Sequence, residues 1–179
     1  MPPNPTSDRQ FGPPAARSVA AGREKGPRVT AELGVRSISA DAQPLLDRAL
    51  DGLRRAADEG TIEAYDLFVT GEAFVPGGPA AGTAVGRELS GLVAGVQDWA
   101  SRAGATVAPY FQHESVDCRL TDERYTVVRF PTLCLTEYHD GELAFVAPAR
   151  VDGELVDVMD RIETLARPET GRIALSAPE

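Results

Sequence analysis

The sequence predicts an α+β protein: a two-layer fold in which helices cover one face of a mixed sheet of about five strands, in the order β-α-β-α-β-β-β-α. Three patterns support this prediction. Apolar and polar residues alternate in several short stretches, and apolar residues recur at helical spacing in three others. In addition, Asp140-Gly141, a dipeptide that favours a type I′ turn, joins two stretches that resemble strands. The first two strands, separated by a helix, are expected to be parallel.

The first half of the chain is expected to alternate strands and helices. Residues 28–38 alternate between apolar and polar side chains, which is typical of a half-buried strand. A helix capped by Asp41 should follow, and residues 61–69 are rich in the β-branched and aromatic side chains of a second strand. After a glycine- and proline-rich loop at 76–83, leucines and valines at helical spacing predict a second helix that ends at Gly104.

The second half is expected to form a meander followed by a helix. Residues 106–138 read as two extended stretches joined by a turn at 121–124, and residues 142–150 read as the last strand. The third helix is expected to start at Asp152 and to stop before Pro168.

Charge is distributed unevenly along the chain. The whole sequence of 179 residues has a formal net charge of −9, but residues 1–36 carry +3 and the rest carries −12. Lys25 is the only lysine, beside seventeen arginines, and this bias fits a GC-rich genome. Together with the acidic remainder of the chain, which we call the acidic body, it also fits a halophilic archaeon. Because an acidic body repels phosphate, nucleic acid would have to contact a local patch or the basic N-terminal arm.

The length fits one domain with flexible ends. We expect a disordered basic arm at 1–27, a single α+β domain at 28–167 and a flexible tail at 168–179. The N-terminus has no apolar segment of the kind found in signal peptides, and no apolar run is long enough to span a membrane. These features predict a cytoplasmic protein without a membrane partner, in which the two cysteines remain thiols.

The only histidines and cysteines of the chain lie in two mirror-image motifs, His113-x4-Cys118 and Cys134-x4-His139. These are residue types that zinc prefers, so a metal-dependent protein or small enzyme is one alternative. However, residues five apart on a strand point to opposite faces, and the turn at 121–124 would pair Cys118 with Val127. We therefore interpret the motifs as parts of one meander and assign no catalytic, cofactor-binding or metal-ligating residue, while a bulge at a proline between them keeps the metal alternative open.

Two further features have open interpretations. The glycine-rich loop before the second helix could hold an anion at the helix N-terminus, or simply connect two elements, since Gly82-Thr83-Ala84 lacks the lysine of a P-loop. Arg129 interrupts the apolar face of its strand, and it could pair with a carboxylate, bind a carboxylate ligand or contact another subunit.

Three stretches resemble a known family: LRRAADEGTIEAYDLFV (53–69), DWASRAGATVAPYF (98–111) and FPTLCLTEYHDGELAFVAPAR (130–150). They are similar to small haloarchaeal proteins, mostly of unassigned function, some of which carry a helix-turn-helix or DNA-binding label. The resemblance spans about residues 28–167 and implies no catalytic motif. A helix-turn-helix requires two helices joined by a turn of about three or four residues, whereas a strand separates the first two helices predicted here.

The leading hypothesis is a cytosolic regulatory or binding protein with a role in transcription, acting through protein or small-ligand contacts and forming a homodimer or another protein complex. It is based on the resemblance and on the lack of a catalytic constellation. One alternative is a small enzyme or metal-dependent protein that uses His113, His139, Cys118 and Cys134. Another is DNA binding through the basic arm, and no cofactor is expected for the leading hypothesis.

Overall fold

The computed structural model describes residues 28–37, 39–118 and 123–167. The predicted arm at 1–27 and tail at 168–179 lie outside these residues. In chain order, the elements are β1 (Val29–Val35), α1 (Gln43–Asp58), β2 (Ala64–Val69), β3 (Ala73–Phe74), a short 3-10 helix (Pro79–Gly82), α2 (Ala84–Ala103), β4 (Gln112–Cys118), β5 (Glu123–Arg129), β6 (Leu133–His139), β7 (Glu142–Ala147), β8 (Ala149–Val151), β9 (Glu154–Val156) and α3 (Val158–Leu165).

The main sheet has four strands in the order β2-β1-β6-β7. β1 and β2 are parallel, with Leu33 beside Leu67, while β6 runs antiparallel to both β1 and β7. The helices and this mixed sheet confirm the predicted α+β class, and the pairing of β1 with β2 confirms the predicted parallel unit. Within the described residues, no helix has both the length and the apolar character needed to cross a membrane.

The layering differs from the prediction, because helices pack on both faces of the main sheet. α1 and α3 cover one face, where Leu33 and Leu135 join a core with Leu53 and Ile162. α2 belongs to a second core on the other face, which includes Val146 and Cys134. β6 reads Leu-Cys-Leu-Thr-Glu at 133–137 and is buried at all five positions, a pattern typical of a strand covered on both sides.

The predicted long strand after the 121–124 turn is two strands in different sheets. β5 pairs with β4 and β3 in a separate three-stranded sheet, whereas β6 belongs to the main sheet. The register is also different from the prediction, since Cys118 lies opposite Glu123 rather than Val127. The connection between β4 and β5 therefore lies earlier than expected, at 119–122, outside the described residues.

The third helix begins later than predicted. Residues 149–156 form the β8–β9 hairpin, whose turn contains Asp152 and Gly153 with φ angles of 52° and 83°. The Asp140-Gly141 turn has φ angles of 52° and 87°, the positive values that a type I′ turn requires, so the predicted β6–β7 hairpin is confirmed. The same dipeptide thus makes a second hairpin where a helix start was expected, and Asp157 caps α3 instead.

The helix ends are partly as predicted. Gly104 ends α2 in the left-handed conformation with φ 62°, which glycine adopts without steric cost. Asp41 does not cap α1: the capping position is occupied by Ala42, with no side-chain hydrogen bond, and Pro44 lies in the first turn. The apolar face of α1 is buried against the sheet, so packing stabilises this helix without a capping side chain.

Candidate functional site

A groove lies between α2 and the main sheet. The C-terminal half of α2 packs on β7, where Trp99 Nε1 donates a hydrogen bond to the carbonyl of Ala144 at 2.8 Å. The Trp99 ring also packs edge-on against Phe145, with 5.5 Å between the ring centroids. The N-terminal half of the helix faces β1 and β2 across a cavity of about 590 Å³. This volume suits a small ligand or a few side chains of a partner.

The sheet side of the groove combines apolar and acidic residues. Alternation along β1 and β2 directs Glu32, Asp66 and Phe68 to the face that α2 covers, opposite to Leu33. The sheet contributes six lining residues: Glu32, Asp66, Phe68, Val69, Tyr138 and Leu143. Two carboxylates thus lie among four residues with apolar or aromatic surface.

The helix side is mostly apolar. The α2 residues that line the groove are Val85, Glu88, Leu89, Gly91, Leu92 and Gly95. The two glycines, four residues apart, lie on one stripe of the helix and leave space that side chains would fill. A Cβ added to Gly91 would have no heavy atom within 4 Å, so this position faces open space.

Glu32 and Tyr138 form the polar centre of the sheet side. Both side chains are half-buried, and the Tyr138 hydroxyl donates a hydrogen bond to Glu32 Oε2 at 3.0 Å. Burial, together with the negative charge of Glu32, raises the pKa of Tyr138 to about 12. Tyr138 is therefore a neutral hydrogen-bond donor at physiological pH, while Asp66 and Glu88 are exposed to solvent.

The loop before α2 serves mainly to cap and support that helix. Thr83 Oγ1 accepts a hydrogen bond from the amide of Gly86 at 3.0 Å, so it occupies a donor that an anion would otherwise use. Arg87 donates to the carbonyl of Gly82 at 2.8 Å and thereby holds the 3-10 helix against α2. These contacts favour the interpretation of this loop as a connection.

The structure does not bring the histidines and Cys134 together. His113 lies on β4 in the three-stranded sheet, where its Nε2 is 2.8 Å from Gln97 Nε2, while His139 ends β6 in the main sheet. Cys134 is 1% exposed, and burial raises the pKa of its thiol to about 12, which disfavours the thiolate that a metal would need. Among the described residues, no group of three or more potential ligands is arranged to hold a metal ion.

Arg129 pairs with carboxylates, the first of the alternatives that the sequence left open. Its Nε is 2.9 Å from Glu114 Oε2, and its Nη1 is 3.4 Å from Glu72 Oε1. Glu114 raises the pKa of Arg129 through a hydrogen bond and its negative charge. Arg129 thus links β5 to β4 and to the residue before β3.

Sequence reasoning missed the groove and a buried ion pair. Arg161 on α3 binds the fully buried carboxylate of Glu137 through two hydrogen bonds, of 2.6 and 2.8 Å. Glu32 lies on the alternating strand β1 and Glu137 lies on β6, and neither pattern by itself shows that these acidic side chains turn inward. The available signal for the burial of Glu137 was the apolar run of β6, which indicates a strand that is buried on both faces.

Fold and groove together define an α+β protein whose candidate site is suited to binding. The family described as a helix-turn-helix domain matches residues 23–170, which is most of the chain, so the chain belongs to that family. Neither the curated proteins nor the solved structures include a significant match to this chain. Family membership confirms the helix-turn-helix part of the resemblance, while a haloarchaeal origin stays a prediction.

The family description contrasts with the arrangement of the helices. β2 separates α1 from α2, and a series of strands separates α2 from α3. No two α-helices of the described residues are joined by the short turn that a helix-turn-helix requires.

Proposed function

We propose that this chain is a transcription-associated regulatory protein whose α+β body is a binding module. The observation that carries the proposal is the family match over residues 23–170, because helix-turn-helix proteins typically act on DNA and transcription. The groove supports the binding role: its lining has apolar walls and a few polar groups, as ligand sites commonly do.

A protein partner, or a second copy of the chain, is part of this proposal. β2 is an edge strand of the main sheet, and Leu67 and Val69 on it are 42% and 51% exposed. Edge strands present unpaired backbone groups that can pair with another strand. Sedimentation of the full-length chain would measure this association directly.

The proposal is tested by combining gene deletion with a groove-filling variant. Deletion in the native host should change the transcript levels of a defined set of genes, and the wild-type chain should restore them. Gly91→Phe should fail to restore them, because its ring would enter the open groove. Transcript sequencing provides the measurement, and binding of the tagged protein near the affected genes would link it to transcription.

The matched control is Ala94→Phe on the same helix, at an exposed position that does not line the groove. It adds the same aromatic ring to α2 and should restore the transcript levels. Unchanged transcripts after deletion would contradict a role in transcription. If Gly91→Phe and Ala94→Phe restore the transcript levels equally, the groove has no part in the regulation of these genes.

A further inference from the structure

We propose that the groove between α2 and the main sheet binds a small organic cation with an apolar body, such as an aromatic amine. The inference rests on the proposed binding role of the groove and specifies the chemical class of its ligand. The first observation is the apolar surface on both walls, with Phe68 from β2 facing Leu89 and Leu92 from α2. Burying the apolar body there would stabilise the complex in proportion to the apolar area removed from water.

The second observation is the negative charge of the residues that line the groove. Glu32, Asp66 and Glu88 contribute three carboxylates to the lining, and no lysine, arginine or histidine is among the described lining residues. An anionic ligand would meet repulsion from carboxylates on both the sheet side and the helix side, while a cation would be attracted. The charge complementarity therefore selects a positively charged occupant.

The third observation is the hydrogen-bonding capacity of Glu32. Its carboxylate lies half-buried beside the apolar residues and accepts a hydrogen bond from the Tyr138 hydroxyl. An ionised carboxylate has about four acceptor sites, so an ammonium group could donate to Glu32 without displacing Tyr138. Such a charge-assisted hydrogen bond is stronger away from bulk water, which makes Glu32 the expected anchor.

Tyr138 and Phe68 would add selectivity for a cation. Their rings line the same sheet side of the groove as Glu32. The face of an aromatic ring attracts a nearby cation, and it also offers flat apolar surface to an aromatic body. At pH 7 Tyr138 stays neutral, so it supplies this surface and a hydroxyl without adding charge.

The test uses three probes with the same ring and different charge. They are 1-naphthylmethylamine, a cation at pH 7, the neutral alcohol 1-naphthylmethanol, and the acetate probe, which is the anion of naphthalene-1-acetic acid. Each is titrated into the full-length protein at pH 7 and followed by calorimetry and by amide chemical shifts. We expect the amine to bind at least about tenfold more tightly than the alcohol, a preference that corresponds to one favourable charge interaction. The acetate should bind more weakly than the alcohol, and the largest shifts should fall on groove residues.

Two pairs of variants locate the site. Glu32→Gln keeps an amide oxygen that can accept from Tyr138, so the preference for the amine should fall about tenfold while the fold is retained. Glu154→Gln, an exposed residue on β9, removes the same charge outside the groove and should leave the preference unchanged. Gly91→Phe should weaken binding of all three probes, and Ala94→Phe should not.

Several outcomes would overturn this ligand class. Equal binding of amine and alcohol, or no binding of any probe at millimolar concentration, would exclude it. Equal effects of Glu32→Gln and Glu154→Gln would trace the preference to net charge rather than to the groove. If neutralising the cations of residues 1–27 shifts the groove resonances without any probe, the occupant is the N-terminal arm of the chain. A failure confined to the amine preference would leave the proposed function standing, since Gly91→Phe tests that function separately.

Discussion

At the residue scale, Cys134 lies in one of the most crowded parts of the molecule. It is opposite Gly34 in the β1–β6 pairing, and a Cβ on Gly34 would overlap its Sγ and approach the ring of Phe68 at 2.9 Å. Gly34 is therefore required by the close approach of its neighbours. Burial raises the pKa of the Cys134 thiol to about 12, from a usual value of 9.0.

This shift predicts a pH dependence of stability. The folded state keeps the Cys134 proton to about pH 12, whereas the unfolded chain releases it above pH 9. The contribution of the protonated Cys134 thiol to the free energy of unfolding is therefore fully present below pH 9 and is lost as the pH rises toward 12. From pH 8 to pH 10, the wild-type free energy of unfolding should fall by about 1 kcal/mol more than that of Cys134→Ala.

Urea unfolding under reducing conditions gives the measurement, with both proteins compared at each pH. Tyr138 also has a raised pKa, but its usual value of 10.0 places most of its effect above this range. It is present in both proteins, as is Cys118, so their contributions cancel in the comparison. Parallel pH profiles for the two proteins would contradict the prediction.

The sequence predicted residues whose conformation is local and missed those defined by tertiary contacts. The predictions of a helix end at Gly104 and of a turn at Asp140-Gly141 were correct because both structures require positive φ angles at these positions. Glu137 was not recognised as buried, since its partner Arg161 lies 24 residues further along the chain. Arg129 was recognised as exceptional, but only the fold could show its two carboxylate partners.

At the element scale, the ion pair between Glu137 on β6 and Arg161 on α3 connects this helix to the main sheet. The guanidinium makes two hydrogen bonds to the carboxylate and also lies over the Phe145 ring, 4.3 Å from its centroid. Glu137 raises the pKa of Arg161 through hydrogen bonding and its negative charge, so the guanidinium keeps its positive charge. These contacts link the short helix α3 directly to the main sheet.

Removing the cation should destabilise the protein strongly. Arg161→Met leaves the Glu137 carboxylate buried without a partner, and we expect a loss of about 3 kcal/mol in the free energy of unfolding. Chemical unfolding measures this loss. Arg102→Ala, which breaks the exposed pair with Asp98, is the control and should cost less than about 1 kcal/mol.

The double variant Arg161→Met with Glu137→Met separates the two explanations for such a loss. If the unpaired carboxylate is the cause, replacing both charges should recover much of the stability. A double variant as unstable as the single one would instead attribute the loss to packing of the arginine side chain.

The order of the elements was largely predictable, and their partition between sheets was not. Residues 124–138 are rich in strand-forming side chains, and this pattern concealed a break at Pro131, where the chain leaves the three-stranded sheet for the main sheet. A proline cannot donate to a sheet ladder, so the break was indicated by the residue itself. The Asp152-Gly153 hairpin carried the same signal as Asp140-Gly141, but the following amphipathic stretch favoured a helix start.

At the scale of the whole molecule, the uneven charge suggests separate tasks for the arm and the body. Residues 1–27, the predicted arm, carry four cations and two carboxylates for a net +2, while the remainder of the chain carries −11. The body includes a groove lined by three carboxylates and, among the described residues, no helix-turn-helix pair. If the chain contacts DNA directly, electrostatics therefore favour the arm, because phosphate binding depends on lysine and arginine.

This reasoning predicts that DNA affinity depends on where positive charge is removed. One full-length variant has its arm cations changed to alanine: Arg9, Arg17, Arg23 and Lys25. The control has the same number of exposed body arginines changed to alanine: Arg48, Arg54, Arg102 and Arg124. Each variant loses four positive charges, so a difference between them reports the location and not the net charge.

The arm variant should no longer shift a mixed pool of duplex DNA at low salt, while the control variant should bind like the wild type. For the wild type, log K should fall with log salt with a slope of about −3 to −4, since each phosphate contact contributes about −0.9. If both variants bind equally, the contact lies outside the arm. If the wild type does not bind at any salt concentration, direct DNA binding is excluded, and the proposed role in transcription would depend on protein or ligand contacts.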